Sequence, residues 1–218
     1  MSEEFYSKPD NLFIQRKLKE YKELYIHRFF PEDKSAKILD LGCGYGLFLA
    51  ACRRYGYRNV YGADAGLNFV DYAKDKLGLE NVVCGDIFAY LEGTQDSSFD
   101  VIVAMNFVEH IKKEKVPLLF SSIYQKLRSG GTFIVEAPNA DSIHGIHTFF
   151  SDLTHEWAYT NALITRLLQI QGFADIKVFP NRVRANKIIR LLQKMLTKIV
   201  SGDDLLQYSG NLIAIARK

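Results

Sequence analysis

Short runs rich in apolar residues alternate along the chain with longer segments whose apolar residues recur at three- and four-residue steps. The short runs predict strands over residues 37–41, 59–64, 81–85, 99–105, 132–137, 175–179 and 211–216. The helical spacing predicts helices over 13–30, 46–55, 67–77, 112–127, 160–171 and 184–200. Pro31 interrupts the first helical pattern before the first strand, and a long loop is expected from Pro138 to Ala158. A run such as Val101-Ile102-Val103-Ala104, apolar on both faces, suits the buried middle of a parallel sheet. Strands alternating with helices in this way predict an α/β fold. The expected form is doubly wound and Rossmann-like, with a mostly parallel seven-stranded sheet and helices on both faces. Two parts are expected: an N-terminal helical segment, 1–36, and one domain over 37–218. In the first, Tyr6, Arg16 and Tyr21 would be carried by a helix that could close over a ligand as a lid.

Composition supports one large domain. Of 218 residues, 48% are hydrophobic, enough to cover a central sheet on both sides and to exclude general disorder. The formal charge of +3 is too mild to imply a nucleic-acid partner. The three cysteines have no paired spacing that suggests disulfides or zinc. Met1-Ser2-Glu3-Glu4-Phe5 is acidic and lacks the apolar core of a signal peptide, and no window approaches the roughly 20 apolar residues of a membrane span. A cytoplasmic protein with reduced thiols is the expectation.

Ligands of an open parallel sheet sit beyond the carboxyl ends of its strands, near the point where strand order reverses. After the first predicted strand the chain reads Asp40-Leu41-Gly42-Cys43-Gly44-Tyr45-Gly46. Glycines there let the backbone bend sharply and approach a ligand without a Cβ clash. The spacing is G-x-G-x-G. A dinucleotide fingerprint would need glycine where Leu47 stands, and a Walker loop would need Gly-Lys-Ser/Thr after the turn. Roughly 20 residues on, Asp64 closes the second predicted strand, where an acid can accept both hydroxyls of a ribose. Asp86 and Ile87 follow the third strand, and Met105-Asn106-Phe107-Val108-Glu109-His110 the fourth. Each residue also has a plainer reading. Asp64 and Asp86 could cap the helices that follow them. Cys43 could simply fill the turn, Tyr45 could pack or shield a ligand, and Glu109 and His110 could mark a site edge or a helix start.

Together these elements, over residues 37–138, resemble the class I S-adenosylmethionine-dependent methyltransferases. The resemblance implies that Asp40, Gly42 and Gly44 hold the methionine moiety and that Asp64 holds the ribose. It further implies that Asp86 and Ile87 frame the adenine, and that Met105 and Asn106 lie beside the sulfonium.

A second resemblance covers the last third. Pro138-Asn139-Ala140, then Asp152-Leu153-Thr154-His155-Glu156-Trp157-Ala158-Tyr159-Thr160, Gly172-Phe173 and Asn211-Leu212-Ile213-Ala214, resemble methyltransferases of bacterial surface-polysaccharide and sugar-nucleotide assembly. That likeness implies a sugar, sugar nucleotide or glycan precursor as the small-molecule acceptor, although related sequences methylate quinones and other metabolites. Methyl transfer from a sulfonium needs positioning first, and a sugar hydroxyl profits from a base. His155 is the first candidate for that base, because an ordinary imidazole titrates near pH 6.5. Asp152 could orient it or act as base itself. Both could instead tie the 139–160 loop by local hydrogen bonds. Trp157 and Tyr159 could anchor that loop or stack on a sugar. His144, His147, Asp152 and His155 have a spacing that metal ligands can have, but the cysteine-free, glycine-interrupted run leads to no expected metal site.

Lys187, Arg190, Lys194 and Lys198 share one face of the predicted 184–200 helix, opposite Ile188, Leu192, Met195 and Ile199. The bland reading is a helix with its charges in water. The sharper one is peripheral contact with anionic membrane or with phosphates of an activated sugar. Asn106-Phe107-Val108 lacks the Pro-Pro-aromatic sequence of amino-methylating DNA enzymes, and the basic residues lack interleaved aromatics for RNA. Two further readings stay open: a cofactor-binding module without catalysis, and a nicotinamide-dependent oxidoreductase, which the glycine spacing disfavours.

Overall fold

The computed structural model describes residues 8–181 and 209–218. The expected basic helix at 184–200, and with it the membrane expectation, lies outside the described residues. Seven strands form one sheet in the order β3-β2-β1-β4-β5-β7-β6. They are β1 (Ile38–Leu41), β2 (Val60–Asp64), β3 (Val82–Cys84), β4 (Phe99–Met105), β5 (Leu127–Pro138), β6 (Ala174–Pro180) and β7 (Asn211–Arg217). All neighbours pair in parallel except β7, which runs antiparallel to both β5 and β6. This is the expected doubly wound α/β architecture, and strand order reverses between β1 and β4.

Alternation along the strands divides the core. Leu39, Leu41, Ile102, Ala104, Phe133 and Val135 face one side, against Leu119, Phe120, Ile123, Ile164 and Leu168. The last five belong to α6 (Val116–Lys126) and α8 (Asn161–Ile170). Ile38, Val101, Val103 and Ile134 face the other side, against Phe48, Leu49, Val70 and Ala73. These lie on α3 (Leu47–Arg54) and α4 (Leu67–Leu77). Neighbouring residues of one strand thus enter opposite layers, as a pleated strand requires.

The leading segment is α1 (Asn11–Tyr21), a π-helical turn Lys22–Ile26 and α2 (His27–Phe29). Asp10 caps α1 by accepting from the Phe13 N–H at 2.7 Å. Ile14, Leu18, Tyr25 and Ile26 are buried in the same cluster as β1 and α3. The Tyr25 hydroxyl donates to the buried Glu136 carboxylate on β5, tying the segment to the sheet.

Several local features differ from expectation, among them the start of β5, at Leu127 rather than at residue 132. A short helix, α5 (Ile87–Glu92), fills the connection between β3 and β4, and Asp86 caps it. Helix α6 begins at Val116, after a 3-10 turn at Lys113–Lys115, with Pro117 in its first turn, where a missing N–H costs nothing. A helix, α7 (Ile143–Phe150), stands inside the expected loop. Its Gly145 packs so closely that a Cβ would lie 1.9 Å from the Asn139 carbonyl oxygen. That helix is set by close tertiary contact, which helical periodicity does not report. Among the described residues no helix is long and apolar enough to cross a membrane.

Candidate functional site

A cavity of about 500 Å³ opens beyond the carboxyl ends of β1 to β4, at the reversal of strand order. Gly42, Gly44, Asp64, Asp86, Ile87, Asn106 and His155, expected as site residues, all line it. Asp40, Met105 and Asp152 are not among the lining residues.

The glycine turn is built by left-handed backbone. Gly42, Gly44 and Gly46 have φ of 70°, 49° and 74°, a region that L side chains rarely occupy. Their surroundings differ. A Cβ on Gly42 would meet the Phe107 ring at 2.4 Å, whereas one on Gly44 would meet nothing within 4 Å. Gly42 is glycine for packing; Gly44 opens onto the cavity. Asp64 holds the turn in place: its Oδ2 accepts from the Gly44 N–H at 2.7 Å and its Oδ1 from the Gly66 N–H at 2.8 Å. Asp64 therefore does not cap α4, whose N-cap is Gly66. Each oxygen keeps lone-pair capacity for a further donor.

Asp86 Oδ1 accepts from the Ala89 N–H at 2.9 Å, capping α5, while the residue lines the cavity beside Ile87 and Phe88. Asn106 adopts a positive φ of 49°, which Asn tolerates better than most residues. Its Oδ1 accepts from Asn211 Nδ2 at 2.8 Å and its N–H donates to the Glu136 carbonyl. Met105 packs into the layer with α3. Asp40 is buried beneath the turn, and burial, followed by the charge of Asp64, holds its carboxyl well above the usual range.

The far wall comes from the 139–160 region. Tyr159, fully buried, donates its hydroxyl to the Val108 carbonyl at 3.1 Å, and the Glu156 N–H donates to the Glu109 carbonyl at 2.7 Å. Tyr159 is thus a loop anchor. Trp157 lies beneath the Lys113 ammonium, which is 4.1 Å from its ring centroid. Asp152 Oδ1 accepts from both the Thr154 N–H at 2.8 Å and the Thr154 hydroxyl at 2.6 Å, the loop-tying pattern. The same hydroxyl lies 2.9 Å from His110 Nδ1, so Asp152 reaches His110 through Thr154. His155 Nδ1 lies 2.8 Å from the Phe149 carbonyl. A carbonyl only accepts, so Nδ1 carries a proton, and in the neutral ring the lone pair is then on Nε2.

Glu109 and His110 stand both in a short helical turn and at the edge of the cavity. Both line the cavity from a 3-10 turn, Val108–His110, and the His110 and His155 rings are 4.8 Å apart. Burial pushes the Glu109 carboxyl up to about 8, and the charges of Glu136 and Asp152 add to the rise. Burial and then His155 push His110 down. The role of the Phe149 carbonyl was invisible in the sequence, since backbone groups carry no residue signature. His144 and His147 are exposed on α7.

A family model described as a methyltransferase domain matches residues 14–195. Among solved structures, a SAM-dependent methyltransferase from Archaeoglobus fulgidus superposes with a TM-score of 0.74 at 25% identity, covering 96% of this chain and all of that one (100%). The mitochondrial ubiquinone biosynthesis O-methyltransferase of Schizosaccharomyces pombe is 32% identical over 103 residues, 45% of this chain and 36% of its own length. Phosphoethanolamine N-methyltransferase of Triticum aestivum is 26% identical over 77% of this chain and 33% of its own. The matched stretches thus span between a third and two fifths of these curated relatives.

Proposed function

The chain belongs to the methyltransferase-domain family, and on that premise we propose that it transfers a methyl group from S-adenosylmethionine to a hydroxyl of a small acceptor. The observation that carries the donor half is Asp64, its two oxygens fixed by the Gly44 and Gly66 amides beside the open space over Gly44. A carboxylate so held can take the two hydroxyls of a ribose without reorganising. Asp86 and Ile87 border the place for the adenine, while Gly42 and Gly44 border the methionine end. Asn106 borders the place for the sulfonium, while Asp40 and Met105, which do not line the cavity, act on the donor only by supporting the backbone of the turn and of the end of β4. Bound there, the donor would supply an electrophilic methyl carbon on a sulfonium, with the sulfur as the leaving group that keeps the carbon–sulfur electron pair.

The chain's own part is to orient the acceptor and take its proton. His155 is the base: Nδ1–H is committed to the Phe149 carbonyl, which leaves Nε2 for the acceptor O–H. Asp152 is a positioning residue, acting through Thr154 on His110.

The acceptor class rests on the 152–160 stretch and its likeness to polysaccharide-assembly methyltransferases, which favours a sugar or glycan precursor. A second reading, a quinone-type phenol, is favoured by Phe107 and Ile111 in the cavity wall, which suit a flat apolar ring. Methylation assays with labelled donor, sugar nucleotides, phenols and a metabolite extract test both. Wild-type protein is expected to label one class. His155→Ala is expected to lose roughly 100-fold or more in turnover while binding S-adenosylhomocysteine normally. Unchanged turnover would remove His155 from the mechanism.

A further inference from the structure

Proton transfer by His155 leaves one feature of the cavity unused. Glu109, in the turn after β4, is 1% exposed, and its Oε2 is buried without a hydrogen-bond partner among the described residues. A buried carboxyl oxygen without a partner is costly in an interior. Glu109, His110 and His155 each offer one ligand atom, and these atoms lie within 4.8 Å of one another. The three residues also line the same cavity.

Both histidines are arranged alike. His155 Nδ1 is bonded to the Phe149 carbonyl at 2.8 Å. His110 Nδ1 faces the Thr154 hydroxyl at 2.9 Å and the Thr154 carbonyl at 3.3 Å. Each Nδ1 therefore donates, and each Nε2 has a free lone pair. This is the outer shell by which proteins fix the tautomer of a metal-binding imidazole. On the His110 side the shell extends through Thr154 to the Asp152 carboxylate. Two imidazoles and one carboxylate are a borderline donor set, suited to zinc, cobalt, iron or manganese rather than to calcium. Three protein ligands leave coordination positions open, the arrangement of catalytic sites rather than of closed structural ones.

We propose that Glu109, His110 and His155 bind one divalent transition-metal cation at the acceptor end of the cavity, with an open position that takes the acceptor oxygen. The set differs from the His144, His147, Asp152 and His155 run weighed in the sequence, and it departs from the expectation of a metal-free site. The role assigned to the open position rests on the reading of this cavity as the place of methyl transfer. One nitrogen cannot hold a proton and an ion together. With the ion bound, His155 would be a ligand in place of the base role it has in the metal-free protein, and the acceptor O–H would give its proton to water as its oxygen binds the cation, whose charge would stabilise the oxyanion.

The test uses the full chain stripped with a chelator. Zn²⁺ binding is followed by calorimetry and Co²⁺ binding by visible absorption, with S-adenosylhomocysteine affinity measured on the same samples. The expected result is one ion per chain, a Co²⁺ spectrum of nitrogen and oxygen coordination, and affinity at least about tenfold weaker in Glu109→Gln and in His110→Gln. Retained S-adenosylhomocysteine binding by these variants marks them as folded. No saturable ion binding by wild-type protein, or binding unchanged in both variants, overturns the proposal. Ion binding without S-adenosylhomocysteine binding would instead overturn the donor reading and leave the cation site standing.

Discussion

Replacing Asp64 with Asn tests the donor site at the residue where fold and ligand meet. The carboxylate accepts two backbone N–H bonds, from Gly44 at 2.7 Å and from Gly66 at 2.8 Å. An amide has the same shape but presents an NH₂ where one oxygen stood. In either orientation one of those two N–H groups faces a donor and loses its bond, which costs about 1–3 kcal/mol of stability. Binding suffers separately. Two ribose hydroxyls donating to a charged carboxylate are worth about 1.5–3 kcal/mol each. Asn keeps at most one of these, as a weaker neutral bond. A net loss of about 2–4 kcal/mol corresponds to roughly 30- to 700-fold in dissociation constant. Calorimetric titration with S-adenosylhomocysteine measures it, and denaturant unfolding measures the stability change on the same preparation. An affinity within threefold of wild type in folded Asp64→Asn protein would refute the assignment of Asp64 to the ribose.

Other outcomes follow from the same geometry. Gly42→Ala and Gly44→Ala should part company. Both carry the strain of positive φ, about 1–2 kcal/mol, but only the first drives a Cβ into the Phe107 ring, so denaturation should show Gly42→Ala as the less stable and titration should show Gly44→Ala weakening the ligand despite a sound fold. Gly145→Ala would push α7 off the Asn139 backbone and with it the Phe149 carbonyl that orients His155, so turnover should fall while S-adenosylhomocysteine binding persists; normal turnover would mean that α7 does not position the base. Asp40 gives a pH dependence. Its folded-state carboxyl titrates above its unfolded value, chiefly through burial, so its contribution is present in acid and lost as pH rises through the folded value, at a slope of at most about 1.4 kcal/mol per pH unit. Asp40→Asn, which cannot ionise, should therefore gain stability relative to wild type between pH 5 and pH 9 in urea titrations, and a constant difference across that range would contradict the account.

The sheet was legible because its central strands carry apolar runs, as in Val101 to Ala104, buried on both faces, and because the glycine turn punctuates the first strand. Helices with weak local signals were not. Helix α5 spans six residues, too few for a periodic pattern, and α7 contains Gly145 and owes its place to a backbone contact. The leading helix was legible in extent, but its π-helical turn, which includes Tyr25, left no trace in the spacing. At the site, residues at strand ends could be read one by one, because a strand end has a fixed place in an open sheet. Two partnerships could not. Glu109 and His110 meet His155 where the loop docks onto the turn after β4, through contacts that include the Glu156 amide, the Tyr159 hydroxyl and Thr154. Asp152, read as a partner of His155, works on His110 through the Thr154 hydroxyl. Both depend on a long loop closing over the sheet, which no sequence periodicity encodes.

The central claim is that the glycine turn and Asp64 accommodate a methyl donor rather than a dinucleotide. Parallel titration of the purified chain with S-adenosylhomocysteine and with NAD tests it most directly. Saturable one-site binding of S-adenosylhomocysteine, with no heat from NAD under the same conditions, is the predicted result. Clear NAD binding without S-adenosylhomocysteine binding would contradict it.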